Sequence, residues 1–229
     1  MSFAQKIAVE TSTSTVLQAA SLVDHGFESI PIIDMQGAKN LDHYVRQQLA
    51  REIRDACIGV GFFYVKNHGI PEERIIGAID AGKIFFALPK ETKLEYDSRK
   101  SADFRGYAAL LSENHDLENN GDLHEGFNIG PEGSNESGKN EMSGENVWPD
   151  AVAPEFKERV LSYYDAAVSF GKTLFPLFAI ALDLPEDFFD DKTREAAAIM
   201  RILHYPPQTG PHDDRTFGTG AHTERHLKR

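Results

Sequence analysis

The sequence predicts an α+β chain. Three observations predict it: apolar residues recur at helical spacing in three long stretches, short β-rich runs bounded by Gly and Pro stand between them, and no internal repeat is present. Ile30-Pro31-Ile32-Ile33-Asp34 reads as a short first strand, with Pro31 suited to an edge because it has no N–H for a ladder. Leu41, Tyr44, Val45, Leu49, Ile53 and Cys57 then form a helical stripe, with Asn40 as the expected N-cap. Gly59 to Val65 predicts a buried strand ending in the turn Asn67-His68-Gly69.

Pro71 opens a second helix, with Ile75, Ile76, Ile79, Phe85 and Phe86 as its apolar face, and Pro89 starts a short helical turn. From Ser112 to Asn146 the chain is polar and rich in Asn, Gly and Glu, interrupted by a short strand around Leu123 to Ile129. A long helix follows Pro154, its buried stripe running through Val160, Tyr164, Ala167, Gly171, Leu174, Phe178 and Ala181. Met200 to Tyr205 reads as a strand ended by Pro206-Pro207, and Gly218 to Glu224 as the start of another. Residues 1–29 carry no clear core pattern and read as a flexible leader.

Composition narrows the function classes. With 229 residues, 41% of them hydrophobic and 26% charged, the chain can bury a substantial core. Its net charge of -12 opposes binding to nucleic acid or anionic lipid. Cys57 is the single cysteine, which excludes an internal disulfide and any cluster built on several thiolates. No apolar run approaches the roughly 20 residues needed to span a bilayer, and the leader has neither a long apolar segment nor an Arg-rich pattern. A cytoplasmic location is the expectation.

Several segments carry a family resemblance in sequence order: Ile30 to Asp34, Gly61-Phe62-Phe63-Tyr64-Val65-Lys66-Asn67-His68-Gly69-Ile70, Phe85 to Pro89, Arg105-Gly106-Tyr107, Asp122 to Phe127, Asn146 to Pro149, Met200 to Pro207, and Gly220-Ala221-His222-Thr223. Together they resemble the isopenicillin N synthase-like branch of the non-haem Fe(II)/2-oxoglutarate-dependent dioxygenases, from about Ile30 to Thr223. The resemblance implies a helical N-terminal dioxygenase domain and a double-stranded β-helix, or jelly-roll, core. On that basis residues 30–150 form the N-terminal domain, 151–198 a long helix and connection, and 199–229 an incomplete start of the jelly roll.

The site residues follow from the same resemblance. His222 matches the His of the family's His-x-Asp metal motif, and Glu224 stands where Asp is expected. Tyr205 matches a tyrosine near the co-substrate or substrate carboxylate, with a barrel-wall aromatic as the alternative, and Arg105 a position that can meet a substrate carboxylate, with a surface Arg as the alternative. The implied cofactors are Fe(II) and 2-oxoglutarate, and the implied partner is a small-molecule substrate. His226 raises a local His-x-Glu-x-His alternative, but Arg225, Lys228 and Arg229 would repel a cation there. His68 reads as a turn residue, and His124 with Glu125 as a polar pair at a strand end.

Two His and one carboxylate on one face of Fe(II) leave neighbouring positions for a chelating 2-oxo acid and O₂. The family's second His and its Arg-x-Ser carboxylate grip do not occur within these residues. The expectation is therefore a C-terminally truncated member with no independent oxygenase activity and no assigned catalytic residue. The alternatives are a regulatory or binding fragment that pairs with an intact relative, or an oxygenase completed by another chain; chaperone association is expected of an unfinished sheet.

Overall fold

The computed structural model describes residues 29–101, 103–114, 120–132, 144–194, 198–208 and 217–220. In chain order these form β1 (Ile32–Asp34), α1 (His43–Gly59), β2 (Tyr64–Lys66), α2 (Glu72–Phe86), α3 (Lys90–Glu95), β3 (Gly106–Ala108), β4 (Glu125–Ile129), α4 (Phe156–Ala181), α5 (Asp190–Thr193) and β5 (Met200–His204). They group into two compact units, Met1–His68 with Leu174–Phe188, and Gly69–Thr173 with Phe189–Arg229.

In the first unit β1 and β2 pair in parallel, with Ile33 opposite Val65. Pro31 offers only its carbonyl, which accepts the Tyr64 N–H at 2.8 Å. Asn67, in a left-handed conformation at φ 55, donates through Nδ2 to the Asp34 carboxylate and so ties the turn after β2 to the end of β1. His68 follows in that turn.

The first unit departs from expectation at three places. The N-cap of α1 is Asp42, whose carboxylate accepts the Tyr44 N–H at 2.9 Å; Asn40 accepts the Asp42 N–H two residues earlier. The stretch expected as a buried strand from Gly59 is a strand only at Tyr64–Lys66, with Tyr64 exposed. The reason lies in the helix end: the N–H groups of Val60 and Gly61 both donate to the Ala56 carbonyl, and Gly61 sits at φ 94. Those residues terminate α1 and are not free to join a ladder. Within α1 the buried stripe is Leu49, Ala50, Ile53 and Ala56, while Leu41, Tyr44 and Cys57 are exposed.

The second unit is built on an antiparallel sheet in the order β3-β4-β5, with Tyr107 opposite Phe127 and Phe127 opposite Ile202. Alternation along the strands puts Tyr107, Glu125, Phe127, Ile129, Met200, Ile202 and His204 on one face, and Gly126, Asn128, Arg201 and Leu203 on the other. The first face holds the core, in which Phe85 of α2 packs at 4.9 Å from Phe127 and 5.4 Å from Phe156 between ring centroids. Burying each such ring contributes about 1.5–3 kcal/mol.

The buried stripe of α2 also departs from expectation. Ala78, Ala81, Gly82, Phe85 and Phe86 face inward, whereas Ile76 and Ile79 are half-exposed. A Cβ on Gly82 would lie 3.0 Å from Ile202 Cγ2, so the helix approaches β5 too closely for a large aliphatic on that line. In α4, Val160 and Tyr164 are buried as expected, and the Tyr164 hydroxyl donates to the Ala198 carbonyl at 2.8 Å. Gly218–Gly220 form no ladder strand, and residues 221–224 lie outside the described residues. Among the described residues no helix is long and apolar enough to cross a membrane.

Candidate functional site

The sheet face turned away from the core carries the residues of interest. Tyr205 immediately follows β5 and is 50% exposed. Its ring lies 5.4 Å from that of His124, and its hydroxyl is 3.2 Å from Thr219 Oγ1. A Cβ on Gly218 would sit 3.1 Å from Tyr205 Cδ1, so the absence of a side chain at 218 lets the tyrosine lie against the backbone. His124 is 4% exposed. Its Nδ1 donates to the Gly218 carbonyl at 2.9 Å, and its Nε2 faces Glu113 Oε2 at 3.4 Å.

Glu113 pairs in turn with Arg201 Nη2 at 2.7 Å. Burial works against ionisation of Glu113, but its bonds to Arg201 and His124 outweigh burial and hold its carboxyl below the ordinary range. Arg201 lies flat over β4, where a Cβ on Gly126 would come within 2.7 Å of its Nε.

Consecutive residues before β4 grip the segment that leads toward His222. The Gly220 N–H donates to Asp122 Oδ1 at 2.8 Å, the Leu123 N–H to the Phe217 carbonyl at 2.7 Å, and His124 to the Gly218 carbonyl. Residues 217–220 are laced to 122–124, with Tyr205 lying against the lacing.

On the core face Glu125 is the centre of a buried polar hub. Its Oε2 accepts from Lys93 Nζ at 2.7 Å and from the Tyr107 hydroxyl at 2.5 Å, and its Oε1 from His204 Nδ1 at 2.9 Å. Lys93 also donates to the Phe86 carbonyl, and the Phe86 ring stacks on His204 at 5.4 Å. Burial would raise the Glu125 pKa, yet the three donors bring it below the usual carboxylate range. Burial, then the bond to Glu125, pushes the Tyr107 phenol well above its ordinary value.

The residues expected from the sequence are distributed unevenly. Arg105 is 1% exposed, its guanidinium lying over Gly130 where a Cβ would collide with it. Arg105 precedes β3 at the Ile129 and Met200 end of the sheet, while Tyr205 follows β5 at the Glu125 end. With strand rise about 3.3 Å per residue, the two are not brought together. His222 and Glu224 lie outside the described residues. Among the described residues no group of three or more His, Cys, Asp or Glu could hold a metal ion.

Tyr205 and Thr219 present hydroxyls, which can donate to a carboxylate, and the lacing holds residues 217–220 beside them. The chemistry present thus fits the co-substrate side of the implied site. Glu113, Arg201, Thr219, Lys93 and His204 were not singled out from the sequence. The signal available was polarity at His124 and Glu125, next to a predicted strand, without a view of what each side chain meets.

Residues 30–151 match the family described as non-haem dioxygenase in morphine synthesis N-terminal. The 2-oxoglutarate-Fe(II) type oxidoreductase hxnY of Emericella nidulans is 37% identical over 202 residues, covering 85% of this chain and 58% of that protein. A 2OG-Fe(II) oxygenase family protein from Caulobacter crescentus superposes with a TM-score of 0.68 at 28% identity, covering 81% of this chain and 58% of the other. A full-length Neurospora crassa protein, solved in complex with alpha-KG and 5-formyluracil, gives 0.61 at 26% identity, covering 77% and 52%. The chain spans just under three-fifths of the length of the curated relative, 58%. The match to the N-terminal family takes in residues 30–151 of 229, and with the relatives it shows that this chain belongs to the non-haem Fe(II)/2-oxoglutarate-dependent dioxygenases.

Proposed function

We propose that the chain serves Fe(II)- and 2-oxoglutarate-dependent oxidation of a small organic molecule, with Tyr205 meeting the co-substrate and His222 with Glu224 forming its part of the metal site. Iron and 2-oxoglutarate together supply the oxidising power for attack on a C–H bond. The chain's own part is to orient: Tyr205 offers a hydroxyl on the open sheet face, and Asp122, Leu123 and His124 hold the segment before His222. That lacing is the observation that carries the reading. The assignment of Arg105 to a substrate carboxylate is carried by the family resemblance alone, since its side chain is buried.

Two finer points belong to the same reading. The 229-residue chain by itself is inactive, because the family's three-ligand site is matched only by His222 and, in altered form, Glu224. Its location is cytoplasmic, in keeping with an acidic chain that carries one cysteine.

Anaerobic titration with Fe(II), with and without 2-oxoglutarate, tests the assignment. Weak iron binding lost in His222→Ala, and a 2-oxoglutarate contribution lost in Tyr205→Phe, are expected. Binding indifferent to both substitutions would sink it.

A further inference from the structure

We infer that His124 is a positioning residue: it holds Tyr205 and residues 217–220 in one frame, so that the tyrosine hydroxyl stands ready for a carboxylate. The inference rests on the reading of Tyr205 as a co-substrate contact. His124 is almost wholly buried in the second unit, between the carbonyl of Gly218, the carboxylate of Glu113 and the face of Tyr205. Each contact constrains a different neighbour.

The Nδ1 proton fixes Gly218, which in turn is the residue whose missing side chain admits the Tyr205 ring. The ring of His124 supports Tyr205 from another side, and Thr219, one residue on, holds the phenol oxygen. Nε2 faces Glu113, which is anchored through Arg201 to β5, the strand that delivers Tyr205. The backbone carbonyl of Glu113 also accepts the Asp122 N–H at 2.8 Å, so the same glutamate braces the start of the lacing. Without the imidazole, Gly218 loses its side-chain donor and Tyr205 loses a supporting wall. A tyrosine that samples several orientations binds a carboxylate less well, because ordering it must then be done at binding.

The hold is read on the full chain by hydrogen exchange at the Leu123 and Gly220 amides, whose acceptors are the Phe217 carbonyl and the Asp122 carboxylate. His124→Phe keeps a ring beside Tyr205 and removes both nitrogens; His124→Asn restores a donor near the Nδ1 position. Exchange at both amides should quicken about tenfold in His124→Phe, the effect of one lost hydrogen bond, and return partway in His124→Asn. Amides of the β4–β5 ladder should be unaffected. Glu113→Gln, which leaves the imidazole in place, should give a smaller change of the same pattern.

Unchanged exchange at Leu123 and Gly220 overturns the inference, and so does equal acceleration throughout the β4–β5 ladder, which marks general unfolding. In the same samples, 2-oxoglutarate alone at millimolar concentration should shift the Tyr205 ring resonances, with about tenfold weaker apparent affinity in His124→Phe. Equal affinity in the parent and the variant overturns positioning even if exchange changes. No Tyr205 shift in the parent chain removes Tyr205 from the co-substrate site, a failure of the underlying reading, and the exchange results then decide His124's hold on 217–220 by themselves.

Discussion

His124 and Glu125 are consecutive in the chain and work on opposite faces of one sheet. The imidazole meets Glu113, Gly218 and Tyr205 on the open side, while the carboxylate meets Lys93, Tyr107 and His204 on the core side. One strand start therefore anchors both the segment 217–220 and the polar centre of the second unit. Because the two networks share a backbone but not their side-chain partners, substitutions in one can be told from substitutions in the other.

Glu125→Gln should destabilise the second unit strongly. The substitution keeps size but leaves Lys93 buried without its counter-charge, a loss of about 3–5 kcal/mol when one partner of a buried pair is removed. Thermal unfolding should shift down by on the order of 10 °C. A shift within error of the parent would mean that the Lys93–Glu125 bond at 2.7 Å contributes nothing.

The same hub contributes to both limbs of the pH profile. The folded-state pKa of Glu125 lies below the ordinary value of 4.5, so its contribution is fully present above that value and is lost as pH falls through the folded pKa. Glu113 acts in the same direction. Tyr107 has the opposite sign: its raised pKa gives stability that is complete below 10 and declines as pH rises above it. Denaturant titrations across pH should show a steep acid limb below about 4.5 that flattens in Glu125→Gln, and an alkaline limb that weakens in Tyr107→Phe, the remainder coming from Tyr164, whose pKa burial also raises. An acid limb of equal slope in parent and variant would place the titrating group elsewhere.

Gly106→Ala should be among the most damaging single-methyl additions. Gly106 sits at φ 107, and a Cβ there would run into the Tyr96 carbonyl oxygen, which already accepts the Tyr107 N–H at 2.7 Å. Left-handed strain and a backbone collision add, so a loss of about 2 kcal/mol or more is expected. Gly171→Ala, where nothing lies within 4 Å, is the control and should be neutral or stabilising. Equal midpoints for the two variants in urea would refute the argument from close approach.

What the sequence made legible follows the range of the interaction. The helices were readable because apolar residues three and four apart face one way whatever they pack against. That Phe85 and Phe86 of α2 are buried was readable too, but that Ile76 and Ile79 are not was hidden, since it depends on Ile202 lying against Gly82, a contact between distant segments. The Glu125 hub was hidden for the same reason: its partners stand 32, 18 and 79 residues away along the chain. Tyr205 was singled out only through the motif around it; its polarity alone does not distinguish a carboxylate contact from a wall aromatic. The reach of His124 to Gly218, across 94 residues, could not be read from a polar pair at a strand end.

Turnover by the chain follows from matching the reaction's requirements to the residues present. Iron held on one face needs two His and a carboxylate, and a dianionic co-substrate needs a cationic anchor as well as a neutral hydroxyl. On the proposed reading, these 229 residues offer His222 as a ligand, Glu224 in place of Asp, and Tyr205 as the hydroxyl. Glu224 has one methylene more than the Asp expected there, and misplacement of a group by about 1 Å can cost on the order of a hundredfold in rate. Arg201, a cation on the Tyr205 face, is already paired with Glu113 at 2.7 Å. The purified chain with Fe(II), ascorbate and 2-oxoglutarate should therefore form no succinate above a control without protein. A chain extended with a family-like C-terminal half and carrying Glu224→Asp should form succinate even without a primary substrate, because the N-terminal domain and the lacing around His124 are in place. Succinate formed by the unextended chain and abolished by His222→Ala would show that another chain completes the metal site.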